Sequence, residues 1–253
     1  MFTNAIVRTP CKNMINGLTS STEGEPDYLI ALTQHKKYID ALKVCGLEVT
    51  VLPADENYPD STFVEDVALL TQNCGIITRP GAHSRRRETN SMKRVMTDFY
   101  DDIEEVKAPG TVDAGDIMMV GSHYYIGLSK RTNVTGAKQI IKNLNNCGMT
   151  GSTVKMSKML HLKSGVAYLE NNNLVVTGEF TDKPEFKKFN RIKIKDDETY
   201  AANCVWINDY VLVAHGYPKA KLAIEQAGYK TIELDMSEFR KLDGGLSCLS
   251  LRF

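Results

Sequence analysis

The chain predicts an α/β protein built from five repeats of a ββαβ pattern that close on themselves, and three observations carry that expectation. From Val64 onward, one order recurs four times: an apolar run, a short polar turn, a second apolar run, a helical stretch and a third strand. The two ends of the chain supply the parts of a fifth copy. Repeats that each expose one apolar face need neighbours, and joining the last to the first leaves no free sheet edge. An open α+β domain with mixed strands is the alternative that the pattern leaves open.

The elements follow in order. Residues 2–8 read as a strand to be paired with residues 249–253. Residues 13–25, rich in Gly, Ser and Thr, have neither helical nor strand period, and we read them as a mobile lid. Tyr28, Leu32, His35, Ile39 and Leu42 then fall on one helical stripe, followed by Gly46 and a strand over 47–52, which completes the split repeat. The next copy pairs 64–70 with 76–79, continues through Met92, Val95, Met96 and Phe99 at helical spacing, and ends on a strand at 103–107. In the following copy Gly121-Ser122 joins 117–120 to 124–127 as a hairpin. A helix beginning near Asn133 has Val134, Ala137, Ile140, Ile141 and Leu144 on one face, Gly148 as its C-terminal stop, and a strand over 152–156 after it. Three asparagines turn 166–170 into 174–177, with a short helical part at 184–189 and a strand at 191–195. Asn208-Asp209 turns 204–207 into 211–214. Pro218 starts and Gly228 stops the last helix, before a strand over 231–234.

A chain of 253 residues is long enough for a sizeable core, and we read it as a single domain, 1–253. With 31 basic and 31 acidic residues it has no global field to draw it to nucleic acid or an anionic membrane. No stretch approaches the ~20 apolar residues of a membrane span. The first residues lack the basic and apolar regions of a signal peptide, so a cytoplasmic location is expected. Six scattered cysteines with no C-x-x-C suggest neither a zinc site nor a disulfide scaffold.

Chemistry-bearing residues gather in the segments that lead into the first strand of each repeat: 60–66, 111–116, 160–165, 201–203 and 243–248. Cys248 follows Gly244-Gly245, a setting that allows close backbone approach to a nucleophile, although a cysteine is more often a small buried apolar residue. A thiolate needs a neighbouring positive or basic group. His161, between a strand and a hairpin, can donate a proton to a leaving amine and then accept one from water, or simply make an ordinary hydrogen bond. The other histidines fit structural places: His35 on a helix stripe, His83 and His123 in polar turns, His215 at a strand end. Asp60, Glu65, Asp66, Asp113 and Asp116 stand at the edges of strands bound for burial. Buried carboxylates need a cation, which is either a substrate guanidinium or an internal Arg or Lys.

Pro59-Asp60-Ser-x-Phe-Val-Glu65-Asp66, Ile77-Thr78-Arg79-Pro80-Gly81, Asp113-Ala114-Gly115-Asp116, His161-Leu162-Lys163 and Asp243-Gly244-Gly245-x-Ser247-Cys248 resemble the dimethylarginine dimethylaminohydrolases, over essentially the whole chain. The resemblance implies the pentein fold, a five-bladed α/β propeller of guanidine-modifying enzymes, and a place in arginine metabolism. It implies that Cys248 attacks the guanidinium carbon, that His161 is general acid and then base, and that Asp113 steadies His161. Asp66 with Glu65 would hold the guanidinium, Arg85 and Arg131 the substrate carboxylate, and Asp60 with the backbone of Leu18 and Leu242 its α-amine. It implies hydrolysis of a methylarginine to citrulline through a thiouronium adduct, with no metal or organic cofactor; the sequence leaves the assembly open, a homodimer being one possibility. Arginine deiminases typically carry an acid two residues after the histidine, where this chain has Lys163, and that departure favours methylated substrates. A non-catalytic arginine-binding protein of the same fold is the remaining alternative.

Overall fold

The computed structural model describes residues Met1–Phe253, which divide into two compact units: Met1–Val64 with Gly165–Phe253, and Glu65–Ser164. Along the chain, the first unit opens with β1 (Asn4–Arg8), α1 (Tyr28–Val44) and β2 (Glu48–Leu52). Asp27 caps α1 by accepting from the amides of Leu29 and Ile30, which satisfies two of the helix's orphan donors. The second unit contains β3 (Ala68–Leu70), β4 (Gly75–Ile77), α2 (Thr89–Met96), β5 (Ile103–Glu105), β6 (Ile117–Val120), β7 (His123–Leu128), α3 (Val134–Asn146) and β8 (Thr150–Lys155). The first unit resumes with β9 (Val166–Tyr168), β10 (Asn173–Val176), β11 (Asn190–Lys193), β12 (Val205–Ile207), β13 (Tyr210–Ala214), α4 (Pro218–Gln226), β14 (Lys230–Leu234), α5 (Ser237–Arg240) and β15 (Leu251–Arg252).

The strands form five separate three-stranded sheets, two in the second unit and three in the first. Each has the same plan: a first strand antiparallel to the middle one, and the middle one parallel to the third. The split repeat follows it too, because β15 pairs antiparallel with β1 through Ala5↔Arg252 and Ile6↔Leu251, and β1 runs parallel to β2. The Phe253 carbonyl extends that pairing by accepting from the amides of Thr3 and Asn4.

The second unit packs α3 on its sheets through Ala137, Ile140 and Leu144, all fully buried with Ile76, Ile117 and Ile126. Burying one such aliphatic side chain is worth about 1.5–3 kcal/mol, so Leu144 alone carries a sizeable share of the helix's docking. The first unit has two clusters, one around Tyr38, Leu42 and Phe239 and one around Val175, Val211 and Ile224.

Several expectations change. Residues 184–189 hold only a 3-10 turn, Pro184–Phe186, because Phe180, Phe186 and Phe189 pack ring against ring in a span too short to nucleate an α-helix. Phe99 lies beyond the end of α2 and is partly exposed rather than on its buried stripe. His123 is a residue of β7, where its ring bonds the hydroxyls of Thr150 and Ser152, rather than part of a turn. No helix is long and apolar enough to cross a membrane.

Candidate active site

All five segments singled out in the sequence become, in whole or part, short 3-10 turns that feed the first strand of a sheet. They are Val64–Val67 before β3, Ala114–Asp116 before β6, Leu162–Ser164 before β9, Asp196–Ala202 before β12, and Ser247–Leu249 before β15. A tight i→i+3 turn at a buried sheet edge fixes side-chain direction within a residue or two. Glu65, Asp66 and Cys248 lie inside such turns, Asp113 stands at the N-terminal edge of one, and His161 immediately precedes one.

In the second unit His161 is buried among carboxylates. Its Nε2 meets Asp113 Oδ2 at 3.2 Å, and its other ring nitrogen has no partner within the chain. Burial disfavours the imidazolium. The charge of Asp66, the hydrogen bond to Asp113, and the charges of Asp116 and Asp113 outweigh it and lift His161 to about 9. His161 is therefore protonated at neutral pH. Asp66 shows the converse balance: burial raises it, but His161⁺ and Arg85 hold it below the usual carboxylate range. Asp116, fully buried, is lifted to about 6 by its burial, partly offset by His161 and by donors from Ser129, Thr132 and Leu162. Gly115 is what lets these groups meet. A Cβ there would stand 2.9 Å from Asp66 Oδ1 and 3.0 Å from the His161 ring.

The acids have internal cations. Arg85 is buried, with Nη1 2.5 Å from Asp66 Oδ2 and the rest of its fork on Glu88; Asp66 Oδ1 accepts from the Gly115 amide at 3.1 Å. Lys163 Nζ donates to Glu65 Oε1 at 2.6 Å. Of the two arginines assigned to a substrate carboxylate, Arg85 is thus engaged with Asp66 and Glu88. The guanidinium of Arg131, half-buried, makes no hydrogen bond or ion pair within the chain. Asp66, Asp113 and His161 bring one ligand atom each within 4.8 Å. A metal needs a neutral imidazole, whereas this one is held protonated and Asp66 is already paired with Arg85, so the donor set suits proton transfer better than a divalent cation.

In the first unit Cys248 is half-buried, and the Gly245 amide points at its Sγ from 3.4 Å. A Cβ on Gly244 would stand 2.3 Å from the Phe63 ring, and one on Gly245 2.5 Å from the Asn203 amide carbon. The two glycines therefore let the Cys248 loop lie directly on Phe63 and Asn203. Asn203 also accepts from the Ser247 amide at 2.9 Å and donates to its hydroxyl at 3.1 Å, fixing the residue before Cys248. Asn203 and Ser129 were not assigned roles in the sequence, and only their spacing from the repeat strands singles them out. Asp60, buried, accepts from the Leu18 amide at 2.9 Å, while Leu242 is buried with its amide on the Phe239 carbonyl. Residues 13–25 are tied down along their length: Asn13 bonds Glu56, the Leu18 amide bonds Asp60, and Glu23 pairs with Arg240. Thr19 Oγ1 donates to the Lys241 carbonyl at 2.8 Å, and the amide and hydroxyl of Ser20 donate to Asp243.

The family model for N,N-dimethylarginine dimethylhydrolase, eukaryotic, matches residues 10–200. The chain is 55% identical to the N(G),N(G)-dimethylarginine dimethylaminohydrolase of Pseudomonas aeruginosa, over 100% of both chains. It superimposes with a TM-score of 0.99 and 54% identity, covering 100% of both chains, on the P. aeruginosa enzyme solved as a cysteine-to-serine variant complexed with citrulline. The same score, identity and coverage hold for a histidine-to-glycine variant of a dimethylarginine dimethylaminohydrolase as its adduct with S-methyl-L-thiocitrulline. With that likeness running from end to end, this chain belongs to the dimethylarginine dimethylaminohydrolase family of cysteine-dependent hydrolases.

Proposed function

We propose that the chain hydrolyses asymmetric dimethylarginine and monomethylarginine to citrulline with release of dimethylamine or methylamine. The observation that carries the reading is His161, kept as an imidazolium by three buried carboxylates with one ring nitrogen free to donate. A guanidinium carbon is a poor electrophile, so amine departure needs both a strong nucleophile and an acid already charged with its proton. In this reading the Cys248 thiolate adds to the guanidinium carbon. The C–N bond to the methylated nitrogen breaks as His161 gives that nitrogen its proton, leaving an S-linked thiouronium. His161, now neutral, takes one proton from water as the oxygen adds to the same carbon; the C–S bond breaks to return thiolate, and the hydroxyl's remaining proton leaves to the solvent, where the released amine takes one up, giving citrulline. Asp113 orients His161. Asp66 offers its charge to the substrate guanidinium once Arg85 yields it, and Arg131, the unpartnered cation, takes the substrate carboxylate together with Arg85. Asp60, already receiving the Leu18 amide, would take the α-amine with the backbone of Leu18 and Leu242.

The Lys163–Glu65 ion pair supports methylated over free arginine, since it neutralises the acid nearest Asp66 in sequence. The five sheets of one plan and the pairing of β1 with β15 support a single domain arranged as a five-bladed propeller. Incubation with asymmetric dimethylarginine, monomethylarginine and arginine, with citrulline as readout, tests the reading. Citrulline from the first two and little from arginine is the expected result. Equal turnover of arginine favours a deiminase, and no citrulline from any of them favours a binding protein. Cys248→Ser should leave less than about a hundredth of the activity, since covalent catalysis would be lost.

A further inference from the structure

The hydroxyl of Ser129, in the turn after β7, is a three-way node. It donates to Asp116 Oδ2 at 2.6 Å and accepts from the amides of Arg131 at 3.0 Å and Thr132 at 3.1 Å. Asp116, with no exposed surface, uses its other oxygen to accept from the Leu162 amide at 2.9 Å, the residue directly after His161. On the opposite side the Thr132 hydroxyl accepts from the Asp113 amide at 3.2 Å. Asp113 Oδ1 accepts from the Gly81 amide at 2.8 Å, and Gly81 lies so close to Arg131 that a Cβ would stand 2.6 Å from its Cα.

We propose that Ser129 is a positioning residue: through Asp116 and the Arg131 amide it sets the placement of His161 relative to Arg131, and so couples grip on the substrate carboxylate to proton delivery. Three features argue for this over ordinary turn capping. A capping hydroxyl needs only the amides of its own turn, whereas this one also donates to a buried carboxylate thirteen residues away. That carboxylate's second oxygen is committed to the histidine's own turn. Arg131, whose backbone the node holds, is the cation left without a partner. The charged groups facing His161 are Asp66 with its Arg85 partner, Asp113 and Asp116; of these, only Asp116 depends on Ser129 for a donor.

The inference rests on the functional reading above for the role of Arg131, and the test keeps the two separable. Ser129→Ala is compared with wild type on monomethylarginine and on its decarboxylated counterpart, and the titration of the His161 ring is followed by NMR in ¹⁵N-histidine-labelled protein. Loss of a hydrogen bond to a charged group predicts about a tenfold or greater fall in kcat on both substrates. KM should rise only for the substrate with a carboxylate. The His161 titration and the alkaline limb of kcat should both move to lower pH, because Asp116, no longer anchored by Ser129, can turn its charge away from the ring. Ser129→Thr, which keeps the hydroxyl, should restore all three. A folded Ser129→Ala protein with unchanged kcat and an unmoved His161 titration, even with a lower Tm, overturns the proposal and leaves Ser129 a turn residue. If Ser129→Ala does not fold, Asp116→Asn must move the His161 titration down, and an unmoved titration there overturns it equally. Should wild type release no citrulline, the functional reading fails, while the NMR comparison still decides whether Ser129 governs His161.

Discussion

Gly115→Ala places one methyl group at the point where Asp66 and His161 come together. Its Cβ would stand 2.9 Å from Asp66 Oδ1 and 3.0 Å from Cγ and Nδ1 of His161, so carboxylate or ring must retreat by several tenths of an ångström. Gly115 does not have a positive φ, so alanine suits the backbone and gains about 0.4–1 kcal/mol from the narrower unfolded ensemble. Overpacking a filled site costs about 1–3 kcal/mol, which leaves a net loss of roughly 0–2.5 kcal/mol. At about 2–4 °C per kcal/mol for a chain of this size, Tm should fall by no more than about 10 °C and the protein should stay folded at room temperature. Catalysis should suffer more, because a misplacement approaching 1 Å costs about a hundredfold. Steady-state kcat with a thermal melt checks both, and a folded variant within about threefold of wild-type kcat would refute the claim that this contact sets the histidine's position.

Four further expectations follow from the structure. Asp113→Asn removes a charged acceptor from His161, so the alkaline limb of kcat, where the general acid loses its proton, should move below about 9, as a pH–rate profile would show. For wild type, the folded-state value of His161 lies above the 6.5 of a free histidine. Its stabilisation is therefore complete below about pH 6.5 and lost as pH rises through about 9, by roughly 3 kcal/mol at most, readable as a falling urea midpoint. His35 is the opposite case. It is buried, its Nε2 has no partner, and burial lowers it to about 4, so the unfolded chain binds more protons and stability falls from pH 6.5 toward 4. His35→Leu should flatten that acid-side decline, and an unchanged slope would show that His35 is not a source of it. Amide exchange at residues 17–21 should slow when a substrate analogue binds, if the Thr19 and Ser20 contacts close a lid; equal exchange with the site occupied would make the loop passive.

The five sheets were legible because each repeat pairs two period-two runs across a short turn, and the turns declared themselves through Gly121, Asn208 and the asparagines before β10, all with left-handed φ. Cys248, His161 and Asp113 could be placed at strand entrances from the sequence, and the structure has them there. The 3-10 turns at those entrances were not legible, since a single i→i+3 turn is too short to leave a hydrophobic period. Nor were the cations that meet the acids. Lys163 and Glu65 are 98 positions apart and Arg85 and Asp66 are 19 apart, separations at which no local pattern relates the partners. The reading that buried carboxylates need a cation was sound, but it could not choose between a substrate and the chain's own arginine. Ser129 escaped notice because a serine beside a lysine and an arginine reads as a solvated turn, and its role arises from the burial of Asp116 thirteen residues earlier.

The contact of Gly244 and Gly245 with Phe63 and Asn203 also bears on how such an enzyme can diversify. Any side chain at either glycine collides with an aromatic ring or a buried amide, so mutation has no graded steps to try there, only intact loop or lost fold. A lineage seeking a new substrate must then leave the scaffold of the Cys248 loop alone and explore where a larger or smaller residue merely changes what fits. Leu18, 40% exposed, and the Lys163–Glu65 pair, with Lys163 still reaching solvent, are positions of that kind. Divergence in substrate among proteins built this way should accumulate at those tolerant sites, with the thiol's platform as the fixed point around which it occurs.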